Sequence, residues 1–140
     1  MKSHERRLRI EWGDCDPAGI VYYPRYFEMF DTGTTHLIEA AAGLRKRDLL
    51  AQYGLLGWPM VDTRASFSRP LRFGDEATLE SRFVELGRSS FKIVHRLTKD
   101  GELAVEGWET RVLVREEAGR LGATPIPDNL AAQFKNSMIR

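Results

Sequence analysis

The run from Pro24 to Ala42 constrains the fold most. Tyr26, Phe30, Gly33, Leu37 and Ala41 recur at steps of three or four, and Phe27, Thr34 and Ile38 flank them. That spacing predicts one long helix with a broad apolar face. Pro24 suits its first turn, where a missing N–H has no partner to lose, and Gly43 is a natural stop. A shorter helix is expected from Lys46 to Tyr53, ending before Gly54. A helix this apolar on one side needs a second layer to cover it.

The remainder of the chain supplies strands. Leu8, Ile10 and Trp12 alternate with Arg7, Arg9 and Glu11, so a half-buried strand is expected from Arg7 to Trp12. Leu56 to Phe73 holds Pro59 and Pro70 and reads as an interrupted strand. In Ala77–Val84, the residues Ala77, Leu79, Ser81 and Phe83 share one face. In Phe91–Thr98, Phe91, Ile93, His95 and Leu97 do the same. Asp100-Gly101 is a hairpin turn signal. A long strand follows from Glu102 to Arg115, with Trp108, Val112 and Val114 on its second face, and Glu117-Ala118-Gly119-Arg120 turns the chain again. Asp128 to Met138 is expected to be a short helix. One apolar-faced helix and one antiparallel sheet make a two-layer α+β domain, expected to span residues 1–140. An apolar back face on so small a unit points to covering by another copy, hence to a homo-oligomer.

Composition removes several function classes. Lys plus Arg number 21 and Asp plus Glu number 20, a net charge of +1. No bulk positive field is available to hold nucleic acid. No apolar run approaches the roughly 20 residues that cross a bilayer, and the charged stretch Met1–Arg9 lacks the apolar core of a signal peptide. The single cysteine, Cys15, leaves no internal disulfide and no multi-cysteine zinc site. A soluble cytoplasmic protein without membrane or nucleic-acid partners is the expectation. His4, His36 and His95 are scattered, without metal-ligand spacing, so no metal is expected. Ser66, Ser68, Ser89 and Ser90 lie in no G-x-S-x-G elbow, and Cys15 lies between Asp14 and Asp16, which disfavour a thiolate. Arg64, Arg69, Arg72, Lys92 and Arg96 offer at most a modest basic surface.

The chemistry concentrates in Gly13-Asp14-Cys15-Asp16-Pro17-Ala18-Gly19-Ile20-Val21-Tyr22-Tyr23-Pro24. Two carboxylates and two glycines precede a helix start, where backbone N–H groups lack intrahelical partners and carry partial positive charge. Such amides can hold a carbonyl oxygen as charge develops on it. A carboxylate one loop away can attack that carbonyl or activate water. The same residues also suit an ordinary turn and helix cap.

This segment resembles the signature of the 4-hydroxybenzoyl-CoA thioesterase family. The pattern G-D-x-D-x-x-G-x-V-x-x-x-x-Y is complete in Gly13, Asp14, Asp16, Gly19, Val21 and Tyr26. The likeness extends from about Leu8 to Ile126, with weaker matches at Trp58-Pro59-Met60-Val61, Ala65-Ser66-Phe67 and Arg88-Ser89-Ser90-Phe91. It implies a hotdog fold, with the sheet wrapped around the long helix. It implies hydrolysis of an aryl or short-chain acyl-CoA thioester to free acid and CoA, with no cofactor beyond the CoA of the substrate. It implies dimers whose sheets join, often paired again into homotetramers, with active sites at subunit interfaces.

By position, the resemblance makes Asp16 the catalytic carboxylate, as nucleophile or general base. It gives Tyr23 the backbone N–H that polarises the thioester carbonyl, while Gly19 lets the substrate approach the backbone. Trp58 falls among acyl-pocket positions, with a core or interface aromatic as the alternative. Arg88, Ser89 and Ser90 fall where the family grips the CoA nucleotide and pantetheine arm, although the hydroxybenzoyl type is more basic there. Asp14 reads as a structural loop carboxylate, and Asp31 faces either the acyl pocket or solvent. A carrier-protein thioester substrate and a non-catalytic acyl-CoA-binding module are the alternatives. Related hotdog dehydratases place a histidine soon after their aspartate, and none follows Asp16 here.

Overall fold

In the computed structural model, described for residues 3–138, the expected helix α1 (Pro24–Ala42) lies across one face of a five-stranded antiparallel sheet. The strands are β1 (His4–Arg9), β2 (Met60–Phe67), β3 (Glu76–Leu86), β4 (Ser90–Lys99) and β5 (Glu102–Val112), ordered β1-β3-β4-β5-β2. Helix α2 (Lys46–Tyr53) follows α1, and α3 (Asp128–Met138) packs against α1 and β3. A hairpin, β6 (Val114–Glu117) and β7 (Arg120–Ala123), stands apart from the sheet. The extreme ends of the expected 1–140 unit lie outside the described residues.

The helix boundaries follow from local chemistry. Pro24 occupies the first turn of α1, and Gly43 ends it in the left-handed conformation (φ 69°), its N–H donating to the Glu39 carbonyl at 2.9 Å. Glu39 also accepts from the Lys46 N–H at 2.7 Å and so caps α2. Asp100 (φ 52°) and Gly101 (φ 76°) make the tight β4–β5 turn expected of that pair.

The apolar interior is divided in two. Ile10, Val21, Tyr26, Phe30, Leu79, Leu97 and Val105 pack under the first half of α1. Leu37, Ile38, Leu49, Trp58, Phe83, Phe91, Leu113 and Phe134 pack under its second half and against α3. The Phe134 ring stacks on Phe83, with centroids 4.4 Å apart. Two glycines bring α1 close to the sheet. A Cβ on Gly33 would lie 2.9 Å from the side chains of Leu79 and Ser81, and a Cβ on Gly107 would lie 2.4 Å from the Phe30 ring.

Several expectations are corrected. The first strand ends at Arg9, and Trp12 sits in a 3-10 turn (Trp12–Asp14), 76% exposed, rather than on the strand. The Gly74 N–H donates to the Ile10 carbonyl, and from there the backbone leaves the ladder. The expected long strand Glu102–Arg115 breaks at Val112, because Leu113 instead exchanges hydrogen bonds with Ser89 and Thr124. Val114 therefore opens the separate hairpin and is not on the back face with Trp108. That back face is not bare. The Arg64 guanidinium lies 3.9 Å over the Trp108 ring, and Arg96 pairs with Glu106 across β4 and β5. Arg69, Lys92 and Arg96 are each matched by a carboxylate, on Glu102, Glu85 and Glu106, so they form no free basic surface.

Candidate active site

The loop between β1 and α1 is built by its own short side chains. The Glu11 N–H donates to Asp14 Oδ2 at 2.8 Å, and the Asp14 carbonyl accepts the Tyr22 N–H at 2.8 Å. Asp14 is thus tied into the loop at both ends. Asp16 turns the chain back on itself: its N–H donates to the Ile20 carbonyl at 3.0 Å, and its carbonyl accepts from Gly19 at 2.9 Å. Gly19 needs the left-handed conformation (φ 82°) to close this turn. The Ala18 N–H holds Asp16 Oδ1 at 2.8 Å. Among the described residues no partner lies on Oδ2. The Val21 N–H then fastens the loop to the Leu71 carbonyl at 2.9 Å.

The start of α1 presents one amide in particular. Pro24 has no N–H. The Arg25 and Tyr26 N–H groups are taken by the carbonyls of Tyr22 (2.8 Å) and Tyr23 (3.1 Å). The Tyr23 N–H has no acceptor among the described residues, which makes it the open donor of this terminus. Beside it lies a cavity of about 360 Å³, walled by Ile20, Tyr23, Tyr26, Phe67, Arg69 and Pro70. The Asp16 loop borders that cavity through Ile20 and Val21. An apolar cavity and an open amide therefore lie beside the loop that carries the half-exposed Asp16 carboxylate, at one end of the sheet.

The other site residues do not join them within this chain. Pairing of Arg9 with Glu76 puts the Asp16 loop at the start of β3. Arg88 and Ser89 lie in the turn after β3 and Ser90 opens β4, and their carbonyls accept from Ile126, Leu113 and Gly87. The length of β3 between these ends is roughly 30 Å at about 3.3 Å per residue. Trp58 lies at the far end too. It is 4% exposed, packed in the second apolar cluster, with the Lys46 ammonium 4.7 Å over its ring.

Sequence reasoning did not single out a group of buried polar side chains between the two apolar clusters. Glu109 accepts from the Thr34 hydroxyl at 2.6 Å, from His95 Nε2 at 3.0 Å and from Arg111 Nε at 3.0 Å. His95 Nδ1 lies 2.7 Å from Ser81 Oγ, and the Phe30 ring stacks on the imidazole with centroids 4.9 Å apart. Arg111 extends outward to Asp31 Oδ1 (2.8 Å) and to the Trp58 carbonyl (3.3 Å). Burial works to raise the Glu109 carboxyl. The hydrogen bond and charge of His95, the charge of Arg111 and the Thr34 hydroxyl outweigh it and hold Glu109 below the usual carboxylate value. The signal for this group was present in the sequence: Glu109 and Arg111 occupy the apolar phase of β5, between Val105 and Leu113.

A model of the thioesterase-like superfamily matches residues 10–134. The chain belongs to that superfamily. This thioesterase-like chain is 32% identical over 131 residues to the 4-hydroxybenzoyl-CoA thioesterase of Pseudomonas sp. strain CBS-3, covering 90% of the chain and 93% of that enzyme. The solved structure of that enzyme superposes with a TM-score of 0.88 at 30% identity, covering 95% of this chain and 99% of the other. A mutant 4-hydroxybenzoyl CoA thioesterase in complex with 4-hydroxybenzoyl CoA gives a TM-score of 0.86 at 31% identity, covering 96% of this chain and 99% of the other. The 1,4-dihydroxy-2-naphthoyl-CoA hydrolase of Synechococcus elongatus is 24% identical over 130 residues, covering 93% of each chain. The hotdog architecture expected from the resemblance is the observed one.

Proposed function

We propose that this chain hydrolyses an aryl acyl-CoA thioester to the free acid and CoA. The observation that carries the reading is the placing, at one end of the sheet, of the open Tyr23 N–H and an apolar cavity beside the loop whose Asp16 Oδ2 is free. Two of the relatives above are named for aryl-CoA substrates. The acyl group enters the cavity and its carbonyl oxygen accepts from the Tyr23 N–H, where developing negative charge is stabilised by the helix start. Asp16 Oδ2 then acts on the carbonyl carbon. As nucleophile it forms a mixed anhydride, the C–S bond breaks, CoA leaves as thiolate and takes a proton from solvent, and water cleaves the anhydride. As base it takes the proton of the water that attacks, and the tetrahedral adduct expels the same thiolate. The chemistry needs no cofactor besides the CoA of the substrate, and it belongs in the cytoplasm, where acyl-CoA is made and used.

The working unit of this reading is a homodimer, with further pairing to a tetramer. Strand β2 is an edge of the sheet, and Val61 (61% exposed) and Phe67 (50% exposed) lie along it. Two-fold antiparallel pairing of β2 with a second copy would set the Asp16 end of one subunit beside the Arg88–Ser90 end of its partner. That pairing supports a site in which Arg88 grips CoA phosphate across the interface, with Ser89 and Ser90 along the pantetheine arm.

The test is thiol release from a panel of aryl-CoA, short-chain acyl-CoA and carrier-protein thioesters. Asp16→Asn folds normally and loses hydrolysis by a factor of about 10³ or more. Mixing folded Asp16→Asn subunits with Arg88→Ala subunits restores part of the activity, because each mixed dimer keeps one complete site. Full turnover by Asp16→Asn on the best substrate refutes the assignment, and binding without cleavage across the panel favours a non-catalytic module.

A further inference from the structure

The buried polar group lies directly beneath the helix that carries the open amide, and it touches that helix twice. Thr34 donates to Glu109 at 2.6 Å, and one turn earlier Asp31 accepts from Arg111 at 2.8 Å. Glu109 and Arg111 are two apart on β5 and face the same way. The two ties therefore run from one rigid strand to successive turns of one helix. Both ends of the group are fixed. His95 is fully buried, wedged between Phe30 and Ser81, while the Arg111 side chain is 5% exposed and also holds the Trp58 carbonyl.

The hydroxyl proton of Thr34 goes to Glu109. His95 Nε2, 3.1 Å from the same hydroxyl and 3.0 Å from Glu109, therefore carries a proton of its own and donates. An apolar replacement of similar volume would hold α1 on the sheet without the desolvation cost of these charges. What apolar packing lacks is direction: it would let the helix slide or roll by fractions of an ångström, and hydrogen bonds at two turns do not.

We propose that Glu109, with Thr34 as its contact on α1 and with His95 and Arg111 as its supports, is a positioning residue. It sets the axial and rotational placement of α1, and so the place of the Tyr23 N–H relative to Asp16. The proposal rests on the reading of Asp16 and Tyr23 given above. The Asp16 loop is fastened to the sheet side through Ile10 to Asp75 and Val21 to Leu71, and to the helix start through the Tyr22 N–H on the Asp14 carbonyl. Donor and carboxylate thus share the anchors of the loop, and the seating of α1 adds the direction in which the Tyr23 N–H points. A displacement of about 1 Å between reacting groups can cost roughly 100-fold in rate.

Glu109→Gln leaves a buried guanidinium short of its counter-charge and risks misfolding. Thr34→Val is therefore the primary variant, since it removes one hydroxyl at nearly constant shape, with Thr34→Ser as the conservative rescue. Folding is checked by circular dichroism at the assay temperature. Thr34→Val is expected to lower kcat about 10-fold or more, with KM within about twofold. Thr34→Ser returns kcat most of the way. The second readout is the infrared stretch of a ¹³C-labelled thioester carbonyl bound in the Asp16→Asn background. Adding Thr34→Val moves that band toward its frequency in free solution, because the Tyr23 N–H polarises it less.

A folded Thr34→Val protein with unaltered kcat and an unmoved carbonyl band overturns the proposal and shows the group to be structural only. That result is distinct from failure of the parent reading, in which Asp16→Asn itself still turns over. If that happens, the positioning role falls with it.

Discussion

Replacing Gly107 by alanine tests how tightly α1 is seated on the sheet. A Cβ at this position would stand 2.4, 2.7 and 3.1 Å from three atoms of the Phe30 ring. The ring has little room to retreat: it is 1% exposed, stacked parallel on His95, and met edge-on by Phe27. Overpacking of this kind costs about 1–3 kcal/mol. Alanine in a strand recovers roughly 0.5–1 kcal/mol of the entropic disadvantage of glycine. The net loss is then about 1–2 kcal/mol. At about 2.1 cal/mol/K of unfolding entropy per residue, a chain of this length changes by roughly 0.3 kcal/mol/K, so the midpoint falls by roughly 3–7 °C. Thermal unfolding is followed by calorimetry at matched protein concentration, because self-association would make the midpoint depend on it. The decisive comparison is the cycle with Phe30→Leu, whose smaller side chain frees the space. Coupling of about 1 kcal/mol between the two substitutions is expected. A Gly107→Ala protein as stable as the unaltered one, or a strictly additive cycle, refutes the claim that Phe30 is seated directly on the bare backbone of β5.

Two further outcomes follow from the site. Tyr23→Phe retains hydrolysis, because the role assigned is that of the backbone N–H. Tyr23→Pro removes that N–H at a position whose φ of −52° suits proline, and it is expected to cost about 10²–10³ in kcat; equal activity of the two variants would sink the assignment. Glu109 is held below its ordinary value of 4.5, so the stability it contributes is present above that value and is lost as pH falls through its lower folded one. Urea midpoints measured across the acid range should therefore fall more steeply for the unaltered protein than for Glu109→Gln, and parallel acid limbs would contradict the pairing.

How much was legible beforehand follows from the range of the interactions. The bounds of α1, α2 and α3, the Asp100-Gly101 turn and the inward faces of β3 and β4 could be read from the sequence, because caps, turns and alternation act over a few neighbouring residues. The loop holding Asp16 was legible for the same reason: Asp14, Asp16, Gly19 and Tyr22 bond to one another within twelve positions. The break of β5 at Val112 was not, since Leu113 takes its partners from Ser89 and Thr124. Neither was the joining of Thr34, Ser81, His95 and Glu109 with Arg111, whose hydrogen bonds span up to 80 positions along the chain. Sequence alone determined a one-sided helix, a sheet to cover it and a carboxylate loop ahead of the helix start. Only the packed structure decided that two charges of β5 reach that helix and that Arg88 lies a full strand length from Asp16. Both depend on strand order and register, which are fixed by contacts between segments far apart in the chain.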